Sequence, residues 1–180
     1  MTEVSINKQA RLSEHLTSSS VATLGHSNEL DGSRLSPHFT LGEMCKTSAK
    51  TADGNIPSHI HIENLKRLCG WLEMLRSEWN KRYGEGDDPI VINSGYRSEA
   101  VNKAVGGVSG SNHLTGCAAD IRVAGIEQLV RYATILLDIS DESQEDFDEL
   151  LLERSPRGGY WLHFAVRPSG NRRKVRLIQT

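Results

Sequence analysis

Two residues able to bind a metal, His113 and Asp120, stand close together in the stretch from Ser111 to Arg122. Gly116, Cys117, Ala118 and Ala119 lie between them, small residues that let the backbone run close beneath whatever the imidazole and the carboxylate hold. Both are standard zinc ligand types, and a catalytic zinc takes three protein ligands while keeping a fourth position open to water. A third ligand must therefore come from elsewhere in the chain. Gly159 to Val166 offers one: an aromatic and β-branched run after the turn Ser155 to Gly159 reads as a strand with His163 at its centre. In period two, Trp161, His163 and Ala165 share one face, while Tyr160, Leu162, Phe164 and Val166 share the more apolar one. His163 thus points away from the core.

These residues fall into an ordered set of motifs: Ser94-Gly-Tyr-Arg-Ser98, Val101-Asn-Lys-Ala-Val-Gly-Gly107, Ser111-Asn-His113 with Gly116 and Ala119-Asp120, and Trp161-Leu-His163. In that order they resemble the M15 zinc peptidases. These are D-Ala-D-Ala carboxypeptidases, dipeptidases and phage L-alanyl-D-glutamate endopeptidases that share a fold with the hedgehog signalling domain. The resemblance runs from about Ser36 to Val166. It implies one catalytic Zn2+ on His113, Asp120 and His163, and a substrate among the stem peptides of bacterial peptidoglycan. It gives Arg97 the binding of substrate and the stabilisation of the tetrahedral intermediate; Tyr96, Ser111 and Trp161 are further substrate-binding positions.

The general base is where this chain departs from several relatives, which place a Glu three residues before the last ligand or a His two before it. Here Tyr160 and Trp161 occupy those places. Glu153, at the end of Asp148-Glu-Leu-Leu-Leu-Glu153, is the candidate, because a hairpin can bring it across from His163. It reads equally as a partner that orients a zinc histidine. The alternative to an enzyme is a zinc-stabilised, catalytically inactive binding module of the cell wall or of another protein. The missing acid/base residue favours that module; Arg97 and the open zinc position favour chemistry.

A chain of 180 residues suits one domain with a sizeable core. A net charge of −2 gives no general attraction to nucleic acid or membranes, so the partner must be argued from the site. No apolar run is long enough for a transmembrane helix, and the N-terminus lacks the pattern of a secretory signal. The expectation is synthesis in the cytoplasm and action at the wall, as in a phage or prophage lysis enzyme, by a monomer. Three cysteines without a CxxC read as free thiols.

Residues 1–35 read as a polar extension, loosely packed or unstructured, before a peptidase domain at 36–180. Within the extension Arg11-Leu-Ser-Glu-His-Leu-Thr17 echoes Arg34-Leu-Ser-Pro-His-Phe-Thr40. Thr40 and Glu43 form a capping box for a short helix. Leu65, Leu68, Cys69, Leu72, Leu75 and Trp79 recur at helical spacing, which predicts a helix from about Ser58 to Arg82. His59 and His61 are two residues apart and read as solvated or capping. Pro89 to Asn93 is a strand that delivers Arg97 in a tight turn, where the alternative to a substrate role is a brace for the loop. Glu99 to Val105 is a short helix and Cys117 to Val123 a strand carrying Asp120. Ile126, Leu129, Val130, Ala133, Leu136 and Leu137 predict a helix packed on the core.

Ser140 to Asp146 reads as an acidic loop within a solvated acidic run that extends to Glu149. Phe147 to Glu153 forms a hairpin with Tyr160 to Val166, and Lys174 to Ile178 makes a last strand. The basic run Arg172, Arg173, Lys174 and Arg176 reads as a charged edge that discourages sheet pairing. These elements give an α+β domain, hedgehog/DD-peptidase-like, with a central, mostly antiparallel sheet and helices mainly from the N-terminal half.

Overall fold

The computed structural model describes residues 32–179, so the Arg11 to Thr17 copy of the repeated heptapeptide lies outside the described part. The second copy is a tab folded onto the domain. Arg34 bridges Thr40, Ser36 Oγ donates to Glu73 Oε1 at 2.6 Å, the His38 ring meets Glu73 at 2.7 Å, and Phe39 is buried in the core. The Thr40 hydroxyl accepts from Glu43 N at 3.2 Å and starts α1 (Leu41–Met44), as the capping box predicts.

The long helix α2 (His59–Arg82) buries the whole expected stripe from Leu65 to Trp79 and adds Trp71. His59 is exposed. His61, by contrast, is half-buried with its ring 5.2 Å from that of Tyr96, and its Nδ1 has no hydrogen-bond partner. After α2 come β1 (Ile92–Ser94), α3 (Glu99–Ala104), a single 3-10 turn (Asn112–Thr115) and β2 (Ala118–Arg122). α4 (Ile126–Ser143), β3 (Glu149–Arg154), β4 (Tyr160–Ala165) and β5 (Lys174–Gln179) complete the order.

The five strands make one sheet in the order β1-β2-β4-β3-β5. Three pairings are antiparallel, and β5 lies parallel to β3. The pleat divides the sheet's work. Ala119, Ile121, Leu150, Leu162 and Phe164 join one core with the buried faces of α2 and α4, where the Trp71 ring meets Phe147 at 6.5 Å and Phe164 at 5.5 Å. Burying a side chain of the Phe or Leu class contributes about 1.5–3 kcal/mol. The opposite face carries Asp120, His163, Glu149 and Glu153, with Asp120 directly across from His163 and Glu153 across from Trp161. The helices that stabilise the sheet thus leave its other face free for chemistry.

Three expectations are corrected. Residues 140–143 belong to α4, which ends at Gln144 in the left-handed region (φ 59), and the Ser140 hydroxyl donates back to Glu145 O at 2.6 Å. The buried face of α4 is also rotated from the expected one: Ile126 and Val130 are about half exposed, while Leu129, Tyr132, Ala133, Leu136 and Ile139 face the core. Finally, the acidic run is not one solvated face. Asp148 is fully buried and holds Arg172 through two contacts of 2.7 Å, while Lys174 Nζ donates to Glu149 at 2.8 Å and Arg173 pairs with Asp141 and Asp146. The basic run therefore neutralises the acidic one, and it does so beside and on β5, an edge strand of the sheet as expected, where Arg176 stays exposed. Cys45, Cys69 and Cys117 are free thiols, and burial pushes Cys45 up to about 12.

Candidate metal centre

His113 reaches the site from the 3-10 turn. The Ser111 hydroxyl caps that turn by accepting from His113 N at 3.3 Å. The turn closes on Gly116 at φ 71, where a Cβ would meet His61 O at 2.6 Å, so both the conformation and the space demand glycine. The His113 ring is oriented from behind: Nδ1 donates to Gly95 O at 2.6 Å, which leaves Nε2 as the forward-facing acceptor.

Asp120 and His163 come from adjacent positions on β2 and β4. Asp120 Oδ1 lies 2.9 Å from His163 Nδ1 and 3.2 Å from His113 Nε2, and its Oδ2 accepts from Arg97 Nη2. One ligand atom from each of the three residues falls within 4.8 Å of the other two. A group of two imidazoles and one carboxylate, converging from three separate segments with no fourth protein donor among the described residues, suits a zinc ion with an open position.

The electrostatics agree with a site built to hold charge. Burial works against ionisation of Asp120, but the adjoining His113 and His163 outweigh it and hold the carboxyl well below the usual carboxylate range. Burial lowers His113 despite Asp120 beside it. For His163 burial is outweighed by Asp120 and Glu149, and the ring is raised to about 9. Glu153 and Glu149 diverge. Burial pushes Glu153 up, helped by Asp120, against His163 and Arg97. Glu149 is pulled well below the usual range by His163 and by Lys174, against burial.

Arg97 is held on both sides. Its Nε donates to Ser94 Oγ at 2.8 Å and its Nη2 to Asp120, so the side chain braces the loop against the metal group. The turn that carries it depends on Asn55, which sequence reasoning missed: Asn55 Nδ2 donates to Cys45 O and Tyr96 O, and its Oδ1 accepts from Ser98 N at 2.7 Å. Asn55 sits in the left-handed region at φ 53, a conformation Asn tolerates, and the Gly54-Asn55 pair is a local sequence signal for such a turn. Gly95 passes so near Met44 O that a Cβ would stand 2.3 Å from it.

The remaining expected residues are spread around the group. Glu153 and Trp161 face each other on the site side of β3 and β4. The Tyr96 ring is buried in the hydrophobic core against His61, and the Ser111 hydroxyl is engaged in capping. Ser111 also lines a cavity of about 370 Å³ with Asn112, Thr115 and Arg167. Glu149 and Asn112 were not foreseen: Glu149 lies 3.7 Å from the His163 ring, and Asn112 donates to Glu149.

Comparison with known proteins gives the family. Residues 37–138, more than half of the chain, match the Peptidase M15 family. The chain belongs to the M15 peptidases. The zinc D-Ala-D-Ala carboxypeptidase of Streptomyces albus G is 31% identical to it over 84 residues, 47% of this chain and 31% of that protein. The chain thus matches less than a third of that relative's length. The M15 match takes in Arg97, His113 and Asp120; Glu149, Glu153, Trp161 and His163 lie beyond it. Among the described residues no helix is long and apolar enough to cross a membrane.

Proposed function

We propose that this M15 chain is a zinc-dependent peptidase that hydrolyses peptide bonds in the stem peptides of bacterial peptidoglycan, with its catalytic domain at 36–180 in a hedgehog-like fold and residues 1–35 as an extension. The observation that carries this reading is the convergence of His113, Asp120 and His163 within 4.8 Å, with Arg97 bonded to the same carboxylate. The three residues would hold the zinc. Once bound, the ion supplies a Lewis acid and makes hydroxide available near neutral pH.

The chain's own residues provide the rest. Arg97, tethered by Ser94 and Asp120, turns its remaining N–H groups to the substrate and holds the oxyanion that develops at the scissile carbonyl. Glu153 takes the proton of the attacking water and passes it to the leaving amine. Its raised pKa suits a group that must both accept and release a proton. Trp161, beside it, lines the groove and limits water. The Streptomyces relative's name points to a terminal D-Ala-D-Ala bond; an L-Ala-D-Glu bond is the other stem linkage this chemistry serves.

Synthetic peptides carrying either bond, incubated with zinc-loaded chain, test the reading. Release of a new amine that disappears in His113→Ala, Asp120→Ala and His163→Ala, together with bound zinc, is the expected result. A chain that holds one zinc and cleaves neither peptide is a binding module.

A further inference from the structure

Glu149 is the carboxylate on the metal-bearing face that the peptidase reading leaves unused. It stands on β3 across from Ala165, two positions from Leu151, the partner of His163. Its Oε2 is 3.7 Å from His163 Nε2, the ring nitrogen on the far side from Asp120. That separation is longer than a hydrogen bond, yet Glu149 is the one partner that nitrogen has among the described residues.

The carboxylate is clamped. Oε1 accepts from Lys174 Nζ at 2.8 Å and pairs with Arg172 at 3.0 Å, and Oε2 accepts from Asn112 Nδ2 at 3.1 Å. The same Asn112 amide nitrogen donates to the buried Asp148 at 2.8 Å, and its Oδ1 accepts from Arg167 Nε at 2.9 Å. Asn112 directly precedes His113, and Asp148 directly precedes Glu149. One amide therefore ties the turn bearing the first histidine to the strand facing the second.

We propose that Glu149 is a positioning residue for the metal group: clamped by Lys174, Arg172 and Asn112, its carboxylate takes the Nε2–H of His163 and leaves Nδ1 as the metal-facing nitrogen. The inference rests on the zinc reading above. A bystander ion pair at the sheet edge would not place two cations and an amide on a half-buried carboxylate aimed at a ligand ring. Removing an outer partner of a metal ligand typically weakens metal binding by about 10- to 100-fold.

Zinc affinity, measured by competition with a chromophoric chelator, tests this in the wild type, Glu149→Met and Glu149→Gln. A parallel measurement of the nitrogen-15 imidazole signals of the zinc-loaded chains reports which His163 nitrogen is coordinated. Glu149→Met should bind zinc about tenfold or more weakly and lose the single Nδ1-coordinated state. Glu149→Gln, which keeps the shape and an acceptor oxygen, should recover part of the affinity and the Nδ1 state. Wild-type affinity and unchanged Nδ1 coordination in Glu149→Met would overturn the proposal; should that variant not fold, wild-type affinity in Glu149→Gln would do so. A wild type that binds zinc but cleaves nothing would remove the peptidase reading and leave Glu149 standing. A wild type that binds no zinc would remove both.

Discussion

At the scale of single residues, Asp120 connects the site's parts. One oxygen meets both histidines and the other meets Arg97, so a substitution anywhere in the group disturbs its neighbours. Two side chains are nonetheless predicted to separate binding from chemistry. Glu153→Gln, which keeps the shape and removes the proton acceptor, should lower kcat by a factor of about 10² to 10⁴ while the chain still holds one zinc. Unimpaired turnover would take Glu153 out of the mechanism. Arg97→Lys keeps the charge but loses the fork that spans Ser94 and Asp120 and that is proposed to reach the substrate. It should reduce kcat/KM by on the order of a hundredfold, and a rate within a few-fold of wild type would return Arg97 to a bracing role.

That His113, Asp120 and His163 come together was legible at this scale because their residue types and the order of their motifs are informative without coordinates. Glu149 was not, since along the chain it is one of several acids from Asp141 to Glu153, and only the register of β3 against β4 separates it from the exposed ones. The Glu153 ambiguity had the same origin. The structure sets both carboxylates on the site face, with Glu149 nearer the His163 ring and charge-clamped, and Glu153 half-buried with a raised pKa.

At the scale of elements, the site depends on short irregular segments held against regular ones. The 3-10 turn bearing His113 closes at Gly116 against the backbone of α2, so Gly116→Ala meets both an unfavourable φ and a carbonyl oxygen. It should lower stability by more than about 1 kcal/mol and weaken zinc binding together with it, as read from melting curves with and without zinc. A variant as stable and as tight as wild type would show that the turn relaxes freely. In the core, Phe164→Ala should cost about 3–5 kcal/mol, because Phe164 is fully buried and packs on Trp71 and Phe147.

Helix and strand positions followed from hydrophobic period. The buried arc of α4 includes Tyr132 and excludes Ile126 and Val130, because which part of a mixed helix face is covered depends on where the sheet ends beneath it. The parallel seat of β5 beside β3 is likewise a matter of long-range pairing, and no local signal encodes it.

At the scale of the whole molecule, charge and metal couple to folding. In the metal-free chain His163 titrates at about 9 against 6.5 when unfolded, so the folded state binds more protons across that interval. Stability from this group is complete below about 6.5 and lost as pH rises through 9. His113 has the opposite sign: its folded pKa is depressed, so it favours the fold as pH rises, and that gain is complete once pH passes its unfolded value of 6.5. The melting temperature of metal-free chain should therefore fall from pH 7 to pH 9, while zinc binding, which needs neutral imidazoles, strengthens over the same range. A rising melting temperature would contradict the charge balance described for His163.

The claim that this metal group performs hydrolysis is tested most directly by mass spectrometry of purified muropeptides after incubation with zinc-loaded chain, beside the same chain stripped by a chelator. A loss of mass is expected only with zinc. A missing D-Ala would identify a carboxypeptidase, and a freed stem would identify cleavage near the L-Ala. Unchanged muropeptides across several wall chemistries, from a chain shown to carry one zinc, would contradict it.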